Sequence, residues 1–183
     1  MKLLKSIVMP AFFLLNFAGC ATSKLPDEPN IVISIADQTL ILKIGKVVLK
    51  TYPISSGKAG VGEELDSDKT PRGMHYVADM VGKDIPLGMV LVDRIPTGEI
   101  VQSHIPGRWP VTTRVIRLGG LEQTNMNTFE RNIYIHGTPL EHLLGKPASG
   151  GCIRMKAIDV IELFDAIKVG TKIYISETSF AQL

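Results

Sequence analysis

Two tight turns inside a stretch of short apolar runs limit what the first half of this chain can become. Ile31-Val32-Ile33-Ser34-Ile35 ends at Asp37-Gln38, Thr39 to Ile44 ends at Gly45-Lys46, and Val47 to Ile54 follows at once. Runs this short, rich in β-branched residues and separated by two-residue turns, predict a meander of strands. Further strands are expected at Gly73–Ala78, Thr113–Leu118, Asn132–Ile135 and Lys172–Ile175. One helix is expected from Ala157 to Lys168, where Ile158, Ile161, Leu163, Phe164 and Ile167 recur at helical spacing and Gly170 punctuates the end. The fold class read from the pattern is mostly β with one packed helix.

The first twenty residues read as a secretion signal. Lys2 and Lys5 supply the positive region, Ile7 to Phe17 a short apolar core, and Ala18-Gly19 small residues before a cut. Pro10 breaks the core, which falls short of the roughly 20 apolar residues a membrane span needs. Phe17-Ala18-Gly19-Cys20 resembles a bacterial lipobox, which implies a lipidated Cys20 and an exported chain tethered to a membrane of the cell envelope, in the periplasm where the cell has one. Residues 21–30, with Pro26 and Pro29, read as a polar linker reaching about 33 Å at most. The remaining residues, 31–183, suffice for one domain.

Charge excludes a partner class. The chain carries 20 Lys and Arg against 18 Asp and Glu, and residues 1–19 hold two of the lysines and no acid. The processed chain is formally neutral, so no nucleic-acid partner is expected.

Chemistry concentrates downstream. Ile133-Tyr134-Ile135-His136-Gly137-Thr138 is followed after a short loop by Ser149-Gly150-Gly151-Cys152-Ile153-Arg154. With Cys20 lipidated, Cys152 has no intramolecular partner, and an unpaired thiol in an exported protein points to a working one. An imidazole near a thiol can draw off its proton and release the nucleophilic thiolate. The flanking glycines let the backbone turn sharply and free amides to face a substrate. His75, His104 and His142 share no metal-ligand spacing, so neither a metal nor a cofactor is expected.

These residues resemble the signature of the L,D-transpeptidases, the YkuD-like cysteine enzymes of bacterial peptidoglycan. That motif is a His-Gly, a loop, then Ser/Thr-His-Gly-Cys, an apolar residue and Arg or Asn; here Gly150 replaces the second His. Asp37-Gln38-Thr39-Leu40, Tyr52 to Gly57, Thr70-Pro71-Arg72-Gly73 and Gly170 to Ile175 resemble further family segments in the same order, covering residues 30–176. The resemblance implies a β-sandwich-like catalytic domain with one helix after the cysteine and a capping insertion, expected within residues 79–130. It implies Cys152 as nucleophile and His136 as general base, oriented by the Gly137 carbonyl. The amides of Gly151 and Cys152 would form an oxyanion hole, with Ser149 bonded within the turn. Arg154 would hold a substrate carboxylate or the local loop, and Trp109 and Tyr134 would be substrate walls or ordinary core aromatics. Peptidoglycan stem peptides would be the substrates.

Other outcomes share these residues. Water as acceptor gives a carboxypeptidase, and cleavage of a protein from peptidoglycan an amidase-type hydrolase. Gly150 alone favours a catalytically silent, peptidoglycan-binding protein. A papain-like protease is excluded by order, since it has its cysteine early and its histidine far downstream.

Overall fold

The computed structural model describes residues 29–183. The signal, the lipobox with Cys20 and the linker as far as Glu28 lie outside the described residues. The strands are β1 (Pro29–Ser34), β2 (Thr39–Ile44), β3 (Val47–Ser55), β4 (Gly73–Val81), β5 (Met89–Val92), β6 (Ile95–Ile100), β7 (Val111–Gly120), β8 (Tyr134–Thr138), β9 (Ile153–Lys156) and β10 (Lys172–Ser176). Among the described residues the one α-helix is α1 (Ala157–Ala166), with single 3-10 turns at Met126–Thr128, Glu141–Leu143 and Phe180–Gln182.

The expected meander β1-β2-β3 forms, antiparallel throughout. β1 begins two residues inside the expected linker. Pro29 is tolerated there because a proline at the first residue of a strand gives up little of the ladder. The sheet runs β4-β10-β1-β2-β3-β9-β8-β7, and β4 also pairs with β7, so eight strands close into a barrel-like, sandwich-like wall. β7 is the pivot. Its first residues pair with β5 and the rest with β4, while β8 runs along its other side.

The core is the inner face of that wall. Ile31, Ile33, Leu40, Ile54, Ile116, Leu118, Ile135 and Ile153 are all but inaccessible. Full burial of each such side chain is worth roughly 1.5–3 kcal/mol. α1 packs over β7, β8 and β9. Its buried stripe is Val160, Leu163, Phe164 and Ile167, which is i, i+3, i+4, i+7. Ile158, expected on that face, is 53% exposed, and Val160 takes its place. The helix stops two residues short of Lys168, because Ile167 is already extended.

The expected insertion has a definite form. Residues 79–130 contain a β5–β6 hairpin, the loop 101–110 and β7 itself. β6 is exposed along its whole length and pairs only with β5, so the hairpin stands off the end of the barrel.

Candidate active site

The site forms where β8 and β9 run parallel at the centre of the sheet. His136 stands opposite Arg154 in that ladder. Alternation puts Tyr134, His136, Cys152 and Arg154 on one face and Ile135, Ile153 and Met155 in the core. A strand pair that anchors one face in packed isoleucines thus fixes the direction of the reactive side chains on the other.

His136 is 3% exposed. Its Nδ1 lies 2.9 Å from the Gly137 carbonyl oxygen. A carbonyl only accepts, so the neutral ring carries its proton on Nδ1 and leaves the lone pair on Nε2. Burial pushes its pKa down to about 4, with the Arg154 charge acting the same way and the Gly137 bond opposing. Gly137, within β8, is closely approached by β7. A Cβ there would come within 2.8 Å of the Thr112 carbonyl and 3.0 Å of Thr113 Cβ. Opposite it β7 bulges between Thr112 and Val115, and Thr113 is held at φ 70, a costly conformation for a β-branched residue.

The Cys152 thiol is half-buried and free. It donates to the Asn132 carbonyl at 3.5 Å and accepts from the Tyr134 N–H at 3.4 Å. No hydrogen bond joins it to His136 among the described residues. Burial raises its pKa, while the Tyr134 N–H and the charges of Arg154 and Arg131 work against that rise. Both displacements favour uncharged forms, so at rest the site holds a thiol and a neutral imidazole and not a thiolate–imidazolium ion pair.

The turn before the cysteine is held from several sides. Ser149 Oγ donates to the Cys152 carbonyl and accepts from the Gly151 N–H at 3.2 Å. Of the two amides read as an oxyanion hole, Gly151's is therefore occupied by Ser149 in this state. Gly151 has φ 100, and a Cβ would come within 2.9 Å of the Lys69 carbonyl. Thr70 Oγ1 donates to the Gly151 carbonyl at 2.9 Å and accepts from the Gly57 N–H. Ser56 accepts from the amides of Ala148 and Ser149 through its carbonyl, and exchanges bonds with buried Gln38. Arg154, 7% exposed, donates from Nη1 to the Ala148 carbonyl at 3.0 Å.

Sequence reasoning singled out Ser149, Gly151 and Arg154 but missed Gln38, Ser56, Thr70 and Asn132 as parts of this scaffold. Asn132 sits at φ 54, a conformation that favours asparagine, and that is the signal it carried. Arg131 ties the loop 58–70 to the site, donating to the carbonyls of Gly62 at 3.0 Å and Lys69 at 2.6 Å. A cavity of about 480 Å³ opens beside this turn, bounded by Lys58, Asp68, Trp109, Ser149, Gly150 and Arg154. Trp109 is on its wall. The Tyr134 ring is not, its hydroxyl being held by Arg94 at 2.9 Å and by Asn132 at 2.9 Å.

The family model of the YkuD L,D-transpeptidase catalytic domain matches residues 28–175. The chain belongs to that family. The YkuD domain here is 29% identical over 147 residues to Bacillus subtilis YkuD, a protein provisionally named an L,D-transpeptidase, covering 80% of this chain and 65% of the relative. Among solved structures, an L,D-transpeptidase from Mycobacterium smegmatis superposes with a TM-score of 0.55 at 21% identity, covering 81% of this chain and 58% of that one. L,D-transpeptidase 3 from Mycobacterium tuberculosis superposes at 0.54 with 20% identity, covering 83% and 62%. The structural likenesses show the shared fold. This chain spans less than two thirds of the length of these relatives.

Proposed function

We propose that this YkuD-family domain is a peptidoglycan L,D-transpeptidase acting through a thioester on Cys152. The observation that carries the reading is the placement of His136 and Cys152 on one face of paired strands. The imidazole proton is fixed on Nδ1 by Gly137, and a cavity lined by Ser149, Gly150 and Arg154 opens beside the turn that carries the thiol.

In the first half-reaction Sγ attacks the carbonyl between the third residue of a tetrapeptide stem, a diaminopimelate or lysine, and the terminal D-Ala. The thiol proton passes to Nε2 of His136 as the C–S bond forms. The amides of Cys152 and Gly151 receive the oxyanion, Gly151's by turning from Ser149 Oγ. Such donors are worth roughly 3–4 kcal/mol each. The C–N bond then breaks, the D-Ala nitrogen takes the proton from His136, and a thioester remains. An amine from a second stem attacks it, forms the new amide and returns the proton to sulfur. Arg154, without a carboxylate partner among the described residues, is suited to the terminal carboxylate of the donor. Cys20 carries the lipid that keeps the exported enzyme beside its substrate.

The test is incubation of the purified protein with disaccharide-tetrapeptide, read by mass spectrometry beside Cys152→Ala. D-Ala release that requires Cys152, with cross-linked dimers, supports transpeptidation. Tripeptide alone supports a hydrolase. No release makes Gly150 the mark of a silent member and sinks the enzymatic reading. Labelled palmitate incorporated by the native chain and lost in Cys20→Ala tests the anchor.

A further inference from the structure

The cavity beside the turn that precedes Cys152 holds three charged side chains that no ion pair neutralises among the described residues: Lys58, Asp68 and Arg154. Arg154 is also buried, which makes an uncompensated charge there costly unless a ligand supplies its counter-ion. Asp68 is placed with care. It adopts φ 57, a left-handed conformation unusual outside glycine. Its Oδ1 lies 3.4 Å from where a Cβ would stand on Gly150. The position next to the catalytic turn that has no side chain of its own is therefore faced by a carboxylate from another loop. Lys58 is fixed to the same turn from the other end of that loop. Its N–H donates to the Ser149 carbonyl at 2.9 Å, and Gly57 forms a bridge with Ser149. Trp109 adds an aromatic side chain to the lining of the same cavity.

The cavity thus offers two cations, one anion and an aromatic surface. A tetrapeptide donor carries one carboxylate on its terminal D-Ala. If its third residue is a plain diamine such as lysine, it adds one ammonium. If that residue is a diamino diacid, it adds an ammonium and a second carboxylate, and the two C-terminal residues of the ligand become the charge complement of the cavity.

We infer that Asp68 and Lys58 read the side-chain end of the donor's third residue, Asp68 taking the ammonium and Lys58 the carboxylate, and so select a diamino diacid over a diamine. The inference rests on the reading of the site as one for stem peptides. It makes Asp68 and Lys58 specificity residues, with no part in bond-making. Both are exposed, so each contact is shared with water and its effect is moderate.

The experiment measures binding of three tetrapeptide stems to the full chain carrying Cys152→Ala, by calorimetry: diaminopimelate-type, lysine-type, and diaminopimelate-type acetylated on its side-chain amine. The expected order is diaminopimelate-type tightest, by roughly threefold to tenfold over the others, the scale of one partly hydrated charge-assisted contact. Adding Lys58→Met removes the preference over the lysine-type stem. Adding Asp68→Asn weakens both free-amine stems and leaves the acetylated one unchanged. Affinities that stay within twofold across stems and variants overturn the inference, as does a chain that binds none of them. Melting temperatures of the variants separate lost contacts from lost folding. D-Ala release by the native chain is scored beside this. Release with charge-blind binding keeps the transpeptidase reading and sinks the specificity. Charge-selective binding without release does the reverse.

Discussion

Lowering the pH from 7 to 5 should cost this protein about 2 kcal/mol of stability through His136 alone. In the folded state the ring is buried and its pKa is pushed down to about 4 from an ordinary 6.5. A histidine depressed in this way binds fewer protons folded than unfolded at any pH between those values, so stability falls as the solution becomes more acid. Each pH unit inside the window is worth about 1.36 kcal/mol, and pH 5 lies about 1.5 units below the unfolded value. The folded carboxylates with lowered values, Asp37, Glu63, Glu64 and Glu99, have ordinary values of 3.8 and 4.5 and contribute mainly below pH 5. His75 is depressed by burial in the same direction, so the comparison must isolate His136. His136→Asn does so, because its amide N–H takes the place of Nδ1–H toward the Gly137 carbonyl. Urea unfolding at pH 7 and pH 5 is the assay, with unchanged m-values required. The native chain should lose about 2 kcal/mol more than the variant over that interval. Equal losses would mean that His136 is hydrated and charged like a surface histidine, and the picture of a neutral resting pair would fail.

Alkylation of Cys152 by iodoacetamide should be slow at neutral pH and climb into the alkaline range, since burial raises the thiol's pKa; Arg131→Gln should slow it further, because that charge opposes the rise. A rate already saturated at pH 7 would refute this. Gly137→Ala should cost about 1–3 kcal/mol in thermal unfolding, because its Cβ meets the Thr112 carbonyl at 2.8 Å, and should cut D-Ala release more than thiol alkylation. Arg131→Met should cost roughly 2–3 kcal/mol by freeing the part-buried carbonyls of Gly62 and Lys69, and protease should then cut within residues 58–70 before elsewhere. Gly150→His should leave stability within about 1 kcal/mol, since Gly150 is not in the left-handed region and its Cβ makes only an ordinary contact with Asp68. Its effect on D-Ala release should be modest; a switch from silence to activity would show that Gly150 abolishes catalysis.

What was legible in the sequence follows from where the determinants are local. β1 to β3 were readable because turn residues and apolar runs lie side by side in the chain. β9 was not, because Ile153 to Lys156 is four residues long and its partners β3 and β8 come from distant parts of the chain. The β5–β6 hairpin escaped for a related reason. Pro96, Thr97, Gly98 and Glu99 give β6 no alternation, and it stands as an exposed edge with nothing to bury. In α1 the period was right and the face partly wrong, since Ile158 and Val160 are equally apolar and only the sheet beneath decides between them. Cys152 and His136, the nucleophile and base proposed above, were nominated from residue type and flanking glycines, and the structure sets them on one face of β8 and β9. Gln38, Thr70 and Asn132 were not, because Gln38 and Thr70 act through hydrogen bonds to backbone groups far away in the chain, and Asn132 acts through its own backbone carbonyl, which accepts from the Cys152 thiol.

Those long-range bonds explain why the site needs the whole barrel. The cysteine turn is a loop of small residues with little apolar area of its own, so its conformation must be imposed. Gln38, in the first hairpin, holds Ser56; Ser56 holds the amides of Ala148 and Ser149; Ser149 holds both the amide of Gly151 and the carbonyl of Cys152. From the other side Thr70 holds the Gly151 carbonyl, and Arg131 holds the loop that carries Thr70 and Asp68. Each link is a polar group buried against another, and breaking one leaves an orphan costing about 1–3 kcal/mol. The strain at Thr113, the left-handed Asn132 and Asp68, and the depressed His136 are tolerable only because this network and the isoleucine core over-determine the surrounding backbone. The arrangement also sets when charge appears. Burial keeps thiol and imidazole neutral at rest, so under the proposed thioester mechanism ionisation waits until a bound carbonyl can accept the sulfur's electrons and nearby amides can take the resulting oxyanion.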